Sequence, residues 1–498
     1  MVRLSEVVAR LGGRTSAAGS VDPELSDVHL DSRRVAPGHL FCALPGHRVD
    51  GLEFAGSALE RGAVALLAPT EAEAAARALA GSVPLWLHDA ARRTAGEAAS
   101  LVHGSPSKKL TTFAVTGTNG KTTVAHILAH LLRAAGHVPA VVGTVGNSIA
   151  GGSVHAAHNT TPDATELQRL CAQHLAAGGD TLVTEASSHA LCQHRLAGFD
   201  LDVAIFTNLT RDHLDYHGTM EEYAAAKALL FRTLKPGGHA ILPADDPVAA
   251  GYADIARERG ASVHTYSIGS RADLSASRLD VVPGGSTSFL DGMGISWESF
   301  VLPLVGVHNL ANALAALAAV LVSGASPSAL RSGLATVPCV IGRLDPAHVE
   351  GDAVRAYVDF AHTPDALRAA LSALRAELDV AGSGRLVCLF GCGGEKDQGK
   401  RPLMARVASE LADTVVLTSD NPRSEDPLAI IEQARAGLVP GAVTIVEPDR
   451  RAAIHAAVAA CEPGDVILLA GKGHELTQEI AGEFLPFSDA QVVREALR

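Results

Sequence analysis

Apolar residues recur along this chain in two periods. From about residue 110 the segments "TTFAVTG", "VPAVVGT", "TLVTEAS", "DVAIFTN" and "HAILPAD" are near-continuous apolar runs, the pattern of strands buried on both faces of a parallel sheet. Between them lie stretches such as "KTTVAHILAHLLRAAG", whose apolar positions recur every three to four residues as on one face of a helix. This alternation predicts an α/β doubly wound, mainly parallel sheet. Between about 261 and 305 the runs shorten and alternate around turns such as "VPGGSTS" and "LDGMG", which predicts hairpins at the sheet edge. A long helix, "HNLANALAALAAVLVSGA", follows. A second α/β series comes after it, with "RAYVDFA", "RLVCLFG", "TVVLTSD", "AVTIVEP" and "DVILLAG" as strands. Before residue 108 the elements are short, including "HLFCALPGHRVDG" and the helix-like "GLEFAGSALERGA".

At 498 residues the chain is too long for one ordinary core, and about three domains are expected. The polar joint "HGSPSKK" at 103–109 and the segment near Pro338 divide it into domains 1–108, 109–338 and 339–498. The net charge of -13 argues against a nucleic-acid partner, because phosphate backbones are bound by basic surfaces, so a small-molecule substrate is expected. No uninterrupted apolar span approaches ~20 residues and the N-terminus has no signal-peptide core, so membrane insertion is not expected and a cytoplasmic location is. A monomer is expected. The cysteines at 42, 171, 192, 339, 388, 392 and 461 form no C-x-x-C pair and read as reduced, mostly buried thiols.

The chemistry begins at "AVTGTNGKTTVAHIL". It runs from a strand into a helix, the turn where backbone N–H groups and the helix N-terminus attract phosphate. Gly117 and Gly120 would let the backbone approach phosphates, Lys121 would contact them, and a hydroxyl of Thr122 or Thr123 would reach Mg²⁺. A tight glycine turn with a structural lysine is the competing reading. Where G-x-x-x-x-G-K-[ST] wants its first glycine, this chain has Val115.

That variant, T-G-T-N-G-K-[ST]-[ST], resembles the loop of the Mur ligase family. "DSRRVAPGHLF", "NTTPDATELQ", "SSHALCQHR", "NLTRDHLDYHGTMEEYAAAK", "DFAHTPDAL", "GCGGEKDQGKRPLM", "DNPRSEDP" and "AGKGHE" extend the resemblance nearly end to end, toward the branch of UDP-N-acetylmuramoyl-tripeptide synthetases. The resemblance implies three domains: a small N-terminal α/β domain for the UDP-substrate, a central P-loop ATPase domain and a C-terminal Rossmann-like domain for the amino acid. It also implies an ATP-dependent, ADP-forming ligase for peptidoglycan synthesis. Through an acyl phosphate, such an enzyme adds 2,6-diaminopimelate to the glutamate side-chain carboxylate of UDP-N-acetylmuramoyl-L-alanyl-D-glutamate.

ATP and Mg²⁺ are the implied cofactors. Gly117, Thr118, Asn119, Gly120, Lys121, Thr122 and Thr123 would cradle phosphates, while Asn309, Asn312, Arg343 and Asp359 would meet the base and ribose. The resemblance assigns catalysis to Lys121, Glu185, His213 and Lys227, and metal binding to Thr122, Glu185, His213 and a carbamylated Lys227. For Glu185 alone, a cap or salt bridge is an equal expectation. On spacing alone Lys227 reads as the solvated face of a helix. His213 and His217 have the i, i+4 spacing of a zinc pair, but no third ligand accompanies them. Asp212 and Asp215 could cap the helix "MEEYAAAKALLF" or neighbouring turns.

Leu30, Ser32 and His47 match the UDP site, Asn159 belongs to the UDP-substrate set, and Thr160, Thr161, Ser187, Gln193 and Arg195 match the site for the peptide end. The threonines of "TTPDATE" also read as helix caps. Asp420, Asn421, Pro422, Arg423, Gly471 and Glu475 match the amino-acid site. Asn421 and Arg423 would meet a distal carboxylate, a role suited to a planar guanidinium. An exposed arginine in a β-turn is the plainer reading of N-P-R. Three positions depart from the family pattern, the first being Asp345 where a glutamate is more common. Lys396 stands where an arginine is expected, keeping charge but losing the fork, and Ala186 replaces a usual valine. They leave room for a relative that ligates another amino acid or acceptor. A P-loop switch or scaffold without ligation is the rival of another class, and the metal and amino-acid residues argue against it.

Overall fold

The computed structural model describes residues 2–16, 22–46, 49–150, 152, 155, 159–349 and 351–498. Three sheets carry the chain, built from residues 14–87, 111–302 and 345–470.

The first has five strands in the order Arg14–Ser16, Leu85–Leu87, Ala65–Ala68, His39–Cys42, Asp27–His29, parallel except at the Arg14–Ser16 edge. The helix-like segment after residue 50 splits into a 3₁₀ turn, Gly51–Phe54, capped by Asp50, and a short helix, Ala55–Glu60.

The central sheet has ten strands. Its core places Thr111–Thr116 between Thr181–Glu185 and Leu201–Phe206, all parallel. Parallel pairing continues through Leu234–Pro243 and Ser262–Ile268 to Leu274–Val282. Only then do Gly285–Gly292 and Ile295–Leu302 add antiparallel hairpins, so the expected edge hairpins begin later than 261. Because chain order reverses on either side of Thr111–Thr116, the C-terminal ends of its neighbours open a crevice at this point. Gly117, Glu185 and Thr207 stand around that crevice. The helix Val307–Val322 is apolar nearly all round because it is buried, packed across Lys121–Ala134.

The third sheet has six strands, parallel apart from the short edge Asp345–Pro346. The ends of Arg355–Asp359, Leu386–Phe390, Thr414–Leu417 and Val466–Ala470 bring residues 359–363, 391–397, 418–423 and 471–475 to one rim.

Three local expectations change. The helix Met220–Arg232 is capped by Thr219, whose hydroxyl accepts from Glu222 N. Asp212 is drawn instead toward the third domain, and Asp215 sits in the first turn of Leu214–His217. The helix Ala164–Ala176 begins after Asp163, so neither Thr160 nor Thr161 caps it. Cysteines 42, 171, 388 and 392 are buried as thiols, but Cys339 is exposed. Among the described residues no helix is long and apolar enough to cross a membrane.

Candidate active site

The glycines of the central loop are where the backbone needs them. Gly120, at φ +85°, ends the loop as the N-cap of Lys121–Ala134, and a Cβ there would overlap Asn312 Oδ1. A Cβ on Gly117 would overlap Thr207 Oγ1. Thr118 N donates to Asn208 O at 2.9 Å and Asn119 N to Asn208 Oδ1 at 3.0 Å, which holds the loop open from the strand side. Lys121 Nζ donates to Gly117 O and Thr118 O, both at 2.9 Å, curling over the loop that a phosphate would enter. The first amides of the helix have no helical acceptor and remain available to an anion.

Glu185, 1% exposed, terminates Thr181–Glu185 beside this loop. Its Oε2 accepts from Thr122 Oγ1 at 2.9 Å and Thr144 Oγ1 at 3.0 Å, and its Oε1 accepts from Thr144 N at 2.7 Å. It neither caps a helix nor forms an ion pair among the described residues. Arg343, from the third domain, donates to Thr122 Oγ1 at 3.1 Å.

His213 holds a left-handed conformation, φ +54°, just before the short helix Leu214–His217. The two histidines therefore do not share a helical face. His217 Nε2 meets Ser188 Oγ at 2.9 Å, while His213 packs edge-on to His189 at 4.8 Å. Burial pushes the His213 imidazole down to about 3 and His189 to about 4, so both are neutral ligands or acceptors.

Lys227 is not on a solvated face. It is 1% exposed, its Nζ lies 4.1 Å from the centre of the Tyr223 ring, and Tyr223 OH donates to Thr118 Oγ1 at 3.2 Å. Burial, then the charge of Lys121, drives its amine well below the usual lysine range, and Asp212 only partly opposes them. The same burial favours loss of the proton and so favours nucleophilic reaction of the amine.

A cleft of about 460 Å³ runs from this loop to the third domain and is lined by residues 118–123, Glu185, His213, Asn309, Asn312, Arg343 and Asp359. Asn312 Nδ2 donates to Asn309 Oδ1 at 3.1 Å. Arg343 stacks on Phe360 at 4.6 Å. Asp359 accepts from Leu344 N at 2.6 Å and Ala361 N at 2.7 Å.

Thr160 and Ser187 also line this cleft. Thr161 Oγ1 donates to Glu185 O at 2.8 Å and accepts from Ser187 N at 3.1 Å, stitching two loops together. Arg195 donates to Thr161 O at 2.8 Å and to Gln193 Oε1. Asn159 lines a neighbouring cavity of about 440 Å³ between the first two domains, with Asp31, Arg34 and Glu166. Ser32 is buried and Leu30 packs on the first core, so neither is a wall of that cavity. His47 lies outside the described residues.

The third cavity, about 150 Å³, is lined by Lys396, Asp420, Asn421, Arg423, Gly471 and Glu475 together with Asp212, His213, Phe360 and His362. The last four also line the 460 Å³ cleft. Arg423 is half-buried rather than free in a turn. It donates to Gly394 O at 2.6 Å and pairs with Glu479 at 3.2 Å.

The sequence reading missed three participants. Thr144 is the main donor to Glu185, and no motif marks it. Asp212 lies 3.4 Å from His213, 3.6 Å from His362 and 3.7 Å from Lys400. Against the upward push of burial, these neighbours hold its carboxyl far below the usual range. Lys472, inside "AGKGHE", is fully buried behind the 150 Å³ cavity.

Residues 24–95 match the Mur ligase family catalytic domain, 115–320 the Mur ligase middle domain and 342–473 the Mur ligase glutamate ligase domain. The chain is 41% identical to the UDP-N-acetylmuramoyl-L-alanyl-D-glutamate–2,6-diaminopimelate ligase of Geobacillus thermodenitrificans, covering 100% of this chain and 99% of that one. The enzyme of the same name from Chromobacterium violaceum is 43% identical over 94% of each. A solved structure of a ligase of that name superposes with a TM-score of 0.68 at 36% identity, covering 100% and 98%. MurF from Acinetobacter baumannii shares the fold at 19% identity and a TM-score of 0.68, over 94% and 95%.

Proposed function

The chain belongs to the Mur ligase family, and we propose that it joins 2,6-diaminopimelate to the D-glutamate side-chain carboxylate of UDP-N-acetylmuramoyl-L-alanyl-D-glutamate. It is an ATP-dependent, ADP-forming amide ligase of peptidoglycan synthesis, acting as a cytoplasmic monomer. One observation carries the reading: the phosphate cleft and the amino-acid cavity share Asp212, His213, Phe360 and His362 as walls. An amine held in the smaller cavity therefore faces an acyl phosphate formed in the larger one.

The reaction requires the γ-phosphate to meet an anionic carboxylate, and then an amine to displace phosphate. Lys121 and the helix N-terminus receive the phosphates. Thr160, Ser187, Gln193 and Arg195 orient the peptide carboxylate, Thr161 ties their loops together, and Asn159 meets the nucleotide-linked portion. Asn309, Asn312, Arg343 and Asp359 hold the nucleoside from the linker helix and third domain. Asp420 and Glu475 accept from the incoming ammonium, while Asn421, Arg423 and Lys396 face its carboxylates.

The hydroxyl of Thr122, the Glu185 carboxylate and the neutral His213 imidazole suit Mg²⁺ with water completing its shell. A carbamate on the buried Lys227 amine would add a further anionic oxygen. Bound there, the ion would neutralise charge on the transferring phosphoryl group.

Lys396 favours a second reading, a relative that ligates another amino acid, because an ammonium cannot replace a fork geometrically. Phosphate release with MgATP and the UDP-linked dipeptide, comparing meso-diaminopimelate, LL-diaminopimelate and L-lysine, separates the two. Turnover with a diaminopimelate isomer alone supports the first. Silence with all three refutes it and directs the search to other amines.

A further inference from the structure

Behind the amino-acid cavity, the strand Val466–Ala470 ends in a loop where Gly471 and Gly473 both have positive φ, +112° and +53°. The Lys472 side chain is 0% exposed and is not a wall of the cavity. Its Nζ donates to Asn421 Oδ1 at 3.0 Å and Glu475 Oε2 at 2.9 Å. It also lies 3.7 Å from Asp420 Oδ1, which is buried with no hydrogen-bond partner.

These contacts dictate what the cavity presents. Asn421 Oδ1 also accepts from Glu479 N at 3.0 Å, so both lone pairs are taken and the amide cannot flip. Its NH₂ donates once to Glu475 Oε2 at 2.8 Å and keeps its second hydrogen as a donor. Glu475 Oε1 is left as an acceptor, and Asp420, a wall of the cavity, keeps its buried Oδ1 toward Lys472.

We infer that Lys472 is the positioning residue for the incoming amino acid: it fixes Asn421 as a donor toward the ligand carboxylate and keeps Asp420 and Glu475 ready to receive the ligand ammonium. The inference rests on the ligase reading above. Burial raises the Asp420 carboxyl, opposed by Arg450 and Lys472 and reinforced by Glu475 and Asp489. Arg450 is committed to Asp489 through two hydrogen bonds, so Lys472 is the cation shared by the two acceptors.

The test is steady-state kinetics and melting of Lys472→Met and Lys472→Gln, the latter keeping a hydrogen-bond donor without the charge. Lys472→Met should raise KM for the amino acid about ten- to a hundredfold, with KM for ATP and the UDP-linked dipeptide unchanged. Loss of a cation beside carboxylates raises their pKa, so the acidic limb of kcat/KM for the amino acid should move to higher pH in both variants. Asn421→Ala, costly in the wild type, should cost little more in the Lys472→Met background.

A folded variant with unchanged amino-acid KM and acidic limb overturns the inference alone, as does an equal rise in KM for ATP. Should Lys472→Met fail to fold, the same two readouts on Lys472→Gln decide. Absence of wild-type turnover with every amino acid overturns the ligase reading, and this inference with it.

Discussion

Replacing Gly120 by Ala tests whether the central loop is a built phosphate cradle. Gly120 sits at φ +85° and ψ -13°, where a Cβ costs about 1–2 kcal/mol. That Cβ would also overlap Asn312 Oδ1, forcing the amide away from Asn309 and losing a hydrogen bond worth about 1 kcal/mol. In the free variant the loop relaxes out of this conformation, and nucleotide binding must restore it, so the strain appears in the affinity. The sum, roughly 2–3 kcal/mol, corresponds to an MgATP affinity weakened about 30- to 150-fold. Gly136, at φ +92° with open space around it, is the control at the other end of the same helix. Gly136→Ala should lower the melting temperature without changing nucleotide affinity. Titration calorimetry with a slowly hydrolysed ATP analogue reads both. Binding by Gly120→Ala within about threefold of the wild type would refute the reasoning.

Three further outcomes are expected. Lys227→Ala should lose about a hundredfold or more in kcat, and short carboxylates should restore part of it. Full activity without rescue would exclude the carbamate. Arg450→Met strands Asp489 in a pair whose side chains are both 0% exposed, and should cost about 3–5 kcal/mol in urea unfolding. Adding Asp489→Leu should recover most of this, and a single-variant cost below about 1 kcal/mol would contradict the reading. Asp27 is held far below the usual carboxylate range: burial pushes it up, but His103, His29 and Arg169 outweigh burial. A depressed carboxyl stabilises the fold above its unfolded pKa and loses that contribution as pH falls toward the folded value. The stability deficit of Asp27→Asn should therefore be full near pH 5 and shrink below about pH 4. A deficit that kept growing below about pH 4 would reverse the sign and refute it.

What the sequence displayed was local. The alternation of apolar runs with helical stretches placed the strands, because burial on both faces leaves its mark within each segment. The loop at Gly117–Thr123 was legible because a strand, a turn and a helix adjoin in the chain. Lys227 was misread by spacing because tertiary packing of Met220–Arg232 against Ser188–Cys192, not helical period, decides its burial. Asp212 read as a cap because its partners, His362 and Lys400, lie more than a hundred residues away in another domain. Thr144 lies outside every motif, yet it supplies two of the hydrogen bonds to Glu185. Lys472 stood in a quoted motif, but its role depends on Asn421 and Asp420, which only the fold brings beside it.

Among the contacts invisible in the sequence are those that join the central and third domains. Arg211 pairs with Asp397 at 3.2 Å, Gly284 N donates to Glu377 Oε1 at 2.9 Å, and Asp212 lies among His213, His362 and Lys400. Arg343 reaches Thr122 Oγ1, which itself donates to Glu185. Thr122 is thus both a wall of the cleft and a contact between the two domains. A nucleotide that engaged this hydroxyl would couple its own loading to that contact and so to domain closure. The same closure sets His362 and Phe360 as walls common to the phosphate cleft and the amino-acid cavity. Opening the domains would separate the amine from the acyl phosphate and admit water, so amide formation is favoured over hydrolysis only while these four ties persist.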